Sequence, residues 1–478
     1  MTWSRREVLA SLGVASAQAA LWACGAPAQR VVRRATEVNP ELRTWLHAAV
    51  ATLKGAGFAS AHVLATSRQR TTAAIDVLGA GVARARCDGL VITVRDRDGM
   101  LREQVTNDLS QAGIAAAVTV LAGSAKPASV DFGKTPAAFS RFRADPDVLA
   151  DSDILARVAA LAKRDRESLS SRIVYSAAVM DIDDARVWSV APGHDMQQRL
   201  VHVKKSVTRV AWNGTRPVVS EVSRAWAGGL DEQDLDDDEL VAAREGALAL
   251  MTPRAFEDHE YAFALEPAVA AAVIDAAVQS LFTPSAARRP EVAAVLPIGA
   301  KVMSPIITVV DDPGAARAYG GFVFDDAGEP AAARTLIERG TIAARLDRIR
   351  RPGHVGRSDP YASHLRVTPG AIEQNDLLDD GFLLEGPLGA VVDPTSDRLV
   401  ISVARARERV AGKRTGRMFA EIELVGELSK IMGSVDGLSK QTKTIGVRDE
   451  VDGQPRWRSI EAPWVRGKAL LRARRRAV

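Results

Sequence analysis

Apolar positions in residues 40–58 fall at helical spacing. Leu42, Leu46, Ala49, Val50 and Leu53 share one face, and Gly55 and Gly57 follow as a stop signal. The period then changes: residues 60–77 and 81–99 alternate or run apolar, which predicts two strands. Residues 100–121 return to helical spacing, with Gly113 placed near the helix end. Residues 124–142 are rich in Ser, Pro and Ala and predict a surface connection. A further helix is expected over 151–169, capped by Ser152 or Asp153. Residues 172–193 and 199–229 alternate again, and Asn213-Gly214 is a hairpin signal. The acidic run 231–240 reads as a solvated loop or a helix start, because basic residues are absent around it in sequence. It lacks the glycine and ligand spacing of a calcium loop. Residues 260–267 read as a strand running into a helix, and 270–282, "AAAVIDAAVQSLF", continue that helix with a single carboxylate, Asp275. Glycine-punctuated short strands and turns follow to about residue 446.

These elements predict an α+β protein. An α/β N-terminal domain over 40–123 is followed by a helix- and strand-rich middle domain over 124–259, and a mixed, mostly β C-terminal domain over 260–446 comes next. A C-terminal strand with a basic tail covers 447–478. The 478 residues suffice for two or three domains, and 47% hydrophobic with 26% charged residues is the composition of a globular chain. A net charge of +4, from 63 basic and 59 acidic residues, gives no argument for a nucleic-acid partner. The basic end, 466–478, is read as a solvated tail.

Residues 1–24 predict a signal rather than fold. Arg5 and Arg6 precede a modest apolar run, as in a twin-arginine export signal, and the run is too short and weak to span a bilayer. "LWAC" resembles a lipoprotein processing site with Cys24 as the lipidated residue. Ordinary cleavage near Ala17 or Ala19 is the competing reading. Residues 25–39 form a polar linker. The expected location is the periplasm or envelope, with membrane attachment only through a lipid on Cys24. Cys87 is the one other cysteine, so a lipidated Cys24 leaves no disulfide, and Cys87 reads as a buried structural residue.

Little else in the sequence points to catalysis. No Gly-x-Ser-x-Gly elbow with partners and no phosphate loop is present. Seven histidines occur, no two within five residues, so no helix can present two imidazoles to one metal ion. His354 and His364 flank Asp359 and could approach one another, although exposed loop histidines are the commoner case. Asp311-Asp312-Pro313-Gly314 predicts a turn, and Asp325-Asp326 before Ala327-Gly328 predicts a second. Asp325 and Asp326 read either as carboxylates that shape a site or as turn carboxylates accepting backbone N–H bonds.

Residues 304–342, "SPIITVVDDPGAARAYGGFVFDDAGEPAAARTLIERGTI", resemble the central signature of the TldD/PmbA family of metallopeptidase-related proteins. "HLRVTPGAIEQNDLL" (364–378), "DDGFLLEG" (379–386), "VDPTSDRLVI" (392–401) and "VGELSKIMGSVDGLS" (425–439) resemble its later segments in order. The resemblance implies a helix that carries His-Glu-x-x-x-His in active members, a downstream cysteine as a further zinc ligand, and a peptide substrate. Zinc needs imidazole or thiolate donors, an open position for water and a carboxylate to take a proton. Set in register by Glu260-Tyr261 and Val273-Ile274, the first histidine falls on Asp275, the glutamate on Ala276 and the second histidine on Ser280. No cysteine follows Cys87. The resemblance therefore implies a degenerate site in which no zinc is expected, with Asp275 a solvated or capped carboxylate. Possible site-lining residues are Asp325, Asp326, His354 and His364. Three functions follow: the metal-free subunit of a peptide-processing complex, partnered by a related metal-bearing TldD-like chain; an active metallopeptidase that pairs Asp275 with His354 or His364; or a stand-alone envelope peptide-binding protein.

Overall fold

The computed structural model describes residues 41–474 apart from 134–143, 168–171, 213–216, 250, 252–254, 284–285, 287, 291, 293–296, 327, 347–360, 394 and 452–453. Arg5, Arg6, Cys24, His354, Asp359 and the Asn213-Gly214 turn lie outside the described residues.

The first helix, α1 (Leu42–Gly55), buries the five apolar positions that share its face. β1 (Ser60–Ile75) and β2 (Ala80–Arg95) follow as an antiparallel pair. The helix expected over 100–121 splits. Leu101–Thr106 is β3, an edge strand on β2, and only Gln111–Ala122 is helical, as α2. Asp108 and Ser110 explain the break: Asp108 accepts from the Ser110 N–H, and the Ser110 hydroxyl caps the helix by accepting from Gly113 N. Gly113 thus opens α2, and Gly123 ends it.

α3 (Asp151–Glu167) begins ahead of Ser152 and Asp153, and the Asp153 carboxylate accepts from the Ala150 N–H, so neither residue is its cap. β4 (Ile173–Ala191), β5 (His194–Trp212) and β6 (Pro217–Ala227) complete a six-stranded sheet in the order β3-β2-β1-β4-β5-β6. Two corrections follow. The division expected at 123/124 falls within one sheet, because β1 pairs with β4 over most of its length. That sheet is wholly antiparallel, so the N-terminal region is α+β and not α/β.

Alternation along β1 sets the layers. Ala61, Val63, Ala65 and Ala73 face the helices, packing with α1, α2 and α3. His62, Leu64 and Arg68 lie on the opposite face, toward the C-terminal half. The acidic run is not a free solvated loop. It leads into α4 (Asp237–Ala249), and its carboxylates pair with cations far along the chain: Asp231 with Arg157, Asp234 with Arg164 and Lys205, Asp236 with Arg224, and Glu239 with Arg224 and Lys443.

The C-terminal half is a ten-stranded mixed sheet built from β7 (His259–Leu265), β8 (Val309–Asp311), β9 (Arg334–Glu338), β10 (Thr341–Ile342), β11 (His364–Val367), β12 (Gly381–Asp393), β13 (Arg398–Val410), β14 (Lys413–Glu427), β15 (Gly437–Val451) and β16 (Gln454–Ala473). β16 pairs with both β14 and β7, which closes a ring β16-β14-β13-β12-β7. α5 (Pro267–Leu281) packs on β12 and β16, and α6 (Leu428–Gly433) packs against β14 and β16. The boundary expected at 446 lies inside β15, and the basic "tail" is largely β16, a central strand. Within it Leu471 is buried while Arg466, Lys468 and Arg472 pair with Asp436, Glu260 and Glu423. Cys87, expected to be buried, is exposed on β2. Among the described residues no helix is long and apolar enough to cross a membrane.

Candidate functional site

α5 begins at Pro267, whose missing N–H costs nothing at the first helical turn. Val269, Ala270, Val273, Ile274, Ala277, Val278 and Leu281 are buried at helical spacing, and each large aliphatic among them contributes about 1.5–3 kcal/mol. Asp275, Ala276, Gln279 and Ser280 are left on the half-buried side, one turn apart in pairs. This is the face on which the resemblance set the metal ligands.

Asp275 is neither solvated nor a cap. Its Oδ2 lies 3.0 Å from an Arg458 guanidinium nitrogen, and its Oδ1 accepts from the Gln279 amide at 3.2 Å. Burial pushes the Asp275 carboxyl upward, with Arg458 and Gln279 pulling against it and Asp449 adding to the rise. Arg458 also reaches Asp449 at 3.2 Å. β16 delivers Arg458 because Arg456, Trp457 and Arg458 alternate in a strand: Arg458 turns to α5, and Trp457 turns to the N-terminal sheet. Arg456 lies over the ring of Tyr361, 4.9 Å from its centroid. Burial, helped by Asp326, pushes the Tyr361 hydroxyl up to about 12.

Arg456, Arg458 and Asp449 also act on the Tyr361 hydroxyl, after burial and Asp326. Asp325 forms the turn itself. Its Oδ1 accepts from Glu329 N at 2.9 Å and its carbonyl from Gly328 N at 2.8 Å. Gly328 has φ +76° and presses against the N-terminal sheet, where a Cβ would sit 2.2 Å from His194 Cε1. His364 is not an exposed loop residue. It is buried in β11, with Nδ1 2.8 Å from the Ser459 hydroxyl, and burial lowers its pKa. Ser459 follows Arg458 and so points to the other side of β16, which separates His364 from Asp275. Asp311, read only as part of a turn, is a clamp: its Oδ1 accepts from Ser363 N and His364 N, each at 3.0 Å.

On the far side of β16 the two sheets meet in a polar seam. Trp457 stacks on His202 with centroids 4.6 Å apart, and Arg68 lies over the same indole at 4.6 Å. Arg68 also approaches Asp183 at 3.3 Å. Buried polar atoms without hydrogen-bond partners concentrate along this seam and beside α5: Arg68 Nε, both oxygens of Asp183, His202 Nδ1, Arg448 Nε, Asp449 Oδ1, Trp457 Nε1 and Arg458 Nε. Burial raises the Asp183 carboxyl to about 6 despite Arg68, Arg448 and Arg70, and it lowers His202 to about 3, with Arg68 and Arg448 acting in the same direction. Sequence reasoning missed every member of the seam. The alternating Arg-Trp-Arg in a strand-like segment was the available signal, and it could not name its partners.

The residues on α5 do not fit a zinc ion. The three positions offer a carboxylate already neutralised by a guanidinium, a methyl group and a hydroxyl, and Arg458 would repel a divalent cation there. Among the described residues Asp145, Asp147 and Asp184 form one carboxylate group compact enough for a cation, but Arg199 binds all three and Arg186 binds Asp147.

The profile of the PmbA/TldA metallopeptidase C-terminal domain matches residues 258–470. A metalloprotease of Methanocaldococcus jannaschii is 23% identical over 285 residues, which span 55% of this chain and 62% of that protein. A crystal structure described as a modulator of DNA gyrase from Bacteroides thetaiotaomicron superposes with a TM-score of 0.71 at 16% identity, covering 92% of this chain and all of that one. Its counterpart from Thermotoga maritima gives 0.70 at 14% identity, with 90% and 99% covered. TldE from Thermococcus kodakarensis gives 0.66 at 15%, with 89% and 99% covered. At these identities the solved structures speak to the fold. With them, the domain match shows that residues 258–470 resemble the C-terminal domain of PmbA/TldA metallopeptidases, on a chain that shares the fold of these solved structures.

Proposed function

We propose that this chain is a metal-free, non-catalytic TldD/PmbA-like subunit of a complex that degrades or processes peptides, exported by the twin-arginine route. The observation that carries the reading is the Asp275–Arg458 ion pair. It fills the helix face on which a zinc-binding member would need imidazoles, and Ala276 can neither take nor give a proton. What remains is a scaffold with a half-buried helix face and a polar seam, suited to completing a peptide chamber whose chemistry a partner supplies. A related chain carrying His-Glu-x-x-x-His is the expected partner, and an extended peptide the expected substrate. Arg5, Arg6 and Cys24 support export and lipid attachment at the envelope.

The test is affinity purification of the tagged full chain from its native envelope. Co-purification of a motif-bearing relative, with peptidase activity in the complex and none in this chain alone, is the expected result. Peptide hydrolysis by the isolated chain would overturn the reading.

A further inference from the structure

A second site lies on the other side of the strand ring from α5. Phe263 and Leu265 of β7 join the core with α5, whereas Ala264 turns the opposite way and packs with Leu377 and Leu383. Above them is a cleft of about 330 Å³, bordered by Gln374, Asn375, Arg409, Arg414 and Trp464. This volume lies at the lower end of the range of small-molecule sites, roughly 300–1,000 Å³.

Its charge is unusual. Arg409 on β13 stands directly opposite Arg414 on β14, and like charges in that position repel. Two arginines earlier on β13, Arg405 and Arg407, share the carboxylate of Glu385 at 2.5 and 2.8 Å. Among the described residues the Arg409–Arg414 pair has no such counter-ion. Asp376 borders the cleft and, among the described residues, pairs with neither. Arg409 is 8% exposed and held by the carbonyls of Asn375 and Gly412. Its Nε is buried without a partner, an expensive arrangement for a charged donor. Arg414 is exposed and, among the described residues, makes no ion pair.

We infer that this cleft binds a small organic carboxylate, with the oxyanion between Arg409 and Arg414 and the apolar part of the ligand against Trp464 and Leu383. A planar carboxylate matches the guanidinium fork, supplies the missing charge and relieves the repulsion. The inference does not depend on the role assigned to α5.

Calorimetric titration of the full chain with N-acetyl-phenylalanine, its amide and inorganic phosphate tests it, using Arg414→Gln and, as a control, Arg417→Gln. Arg417 pairs with Glu408 and stays outside the cleft. The acid should bind about tenfold or more tightly than the amide, and Arg414→Gln should weaken the acid about tenfold while Arg417→Gln leaves it unchanged. Thermal melts confirm that each variant folds, and without ligand at low salt Arg414→Gln should melt no lower than wild type. No binding of the acid, equal binding of acid and amide, binding of phosphate only, or binding indifferent to Arg414→Gln would each overturn the proposal.

Discussion

Asp275 and Arg458 come from a helix and a strand far apart in the chain, and neither can be removed alone without leaving the other charged and mostly buried. Arg458→Ala should destabilise by about 3 kcal/mol, because an unpaired buried carboxylate costs more than the pair contributes. Adding Asp275→Ala should recover part of that loss. Urea unfolding of both single variants and the double variant measures the coupling, and strictly additive effects would remove the pair from the account. Asp183 and His202 make a second prediction at this scale. Asp183 has its folded pKa raised to about 6 against 3.8, so its stabilising contribution is present below pH 3.8 and disappears as pH rises through 6. His202 is lowered to about 3 from 6.5, so its contribution is present above pH 6.5 and disappears as pH falls toward 3. The two oppose each other between pH 4 and 6, each by roughly 1.4 kcal/mol per pH unit at most. Asp183→Asn should therefore gain stability from pH 4.5 to 6.5 more steeply than wild type, and His202→Gln should lose it. Profiles parallel to wild type would refute these assignments.

At the scale of elements, periodicity was a good guide wherever one face is buried. α1 and α5 follow their apolar stripes, and β1 alternates as its sequence does. It failed where a local capping contact competes, since Asp108 and Ser110 cut β3 from α2 inside one continuous apolar pattern. It failed again for the acidic run and for β16. Their partners are distant arginines and carboxylates, so the charges look solvated when read locally. The candidate site was legible as a position, through Asp275, Ala276 and Ser280, but not as a structure, because Arg458 was counted into a terminal strand and tail. The 325–328 turn offers a test at this scale. Gly328 combines φ +76° with contact against His194 and Ser189, so Gly328→Ala should cost about 1–3 kcal/mol in thermal or urea unfolding. A neutral substitution would mean the turn does not bear on the N-terminal sheet.

Across the whole molecule, helices, an antiparallel sheet and a ringed mixed sheet stack so that the polar face of the middle layer meets the C-terminal half. Gln198 shows the docking in miniature: its amide donates to the Phe324 carbonyl at 2.8 Å, and its oxygen accepts from Val323 N at 2.9 Å. The sheet unites segments that sequence alone divided at 123/124, because the register between β1 and β4 is written in tertiary packing and not in local pattern. This architecture holds α5 in place with an ion pair where the resemblance to the TldD/PmbA family implies a metal. Zinc stoichiometry tests that claim most directly, measured by elemental analysis after the full chain is saturated with zinc and dialysed, in wild type and Asp275→Ala. Well below one zinc per chain, unchanged by the substitution, is the predicted result. One tightly held zinc that Asp275→Ala releases would contradict it.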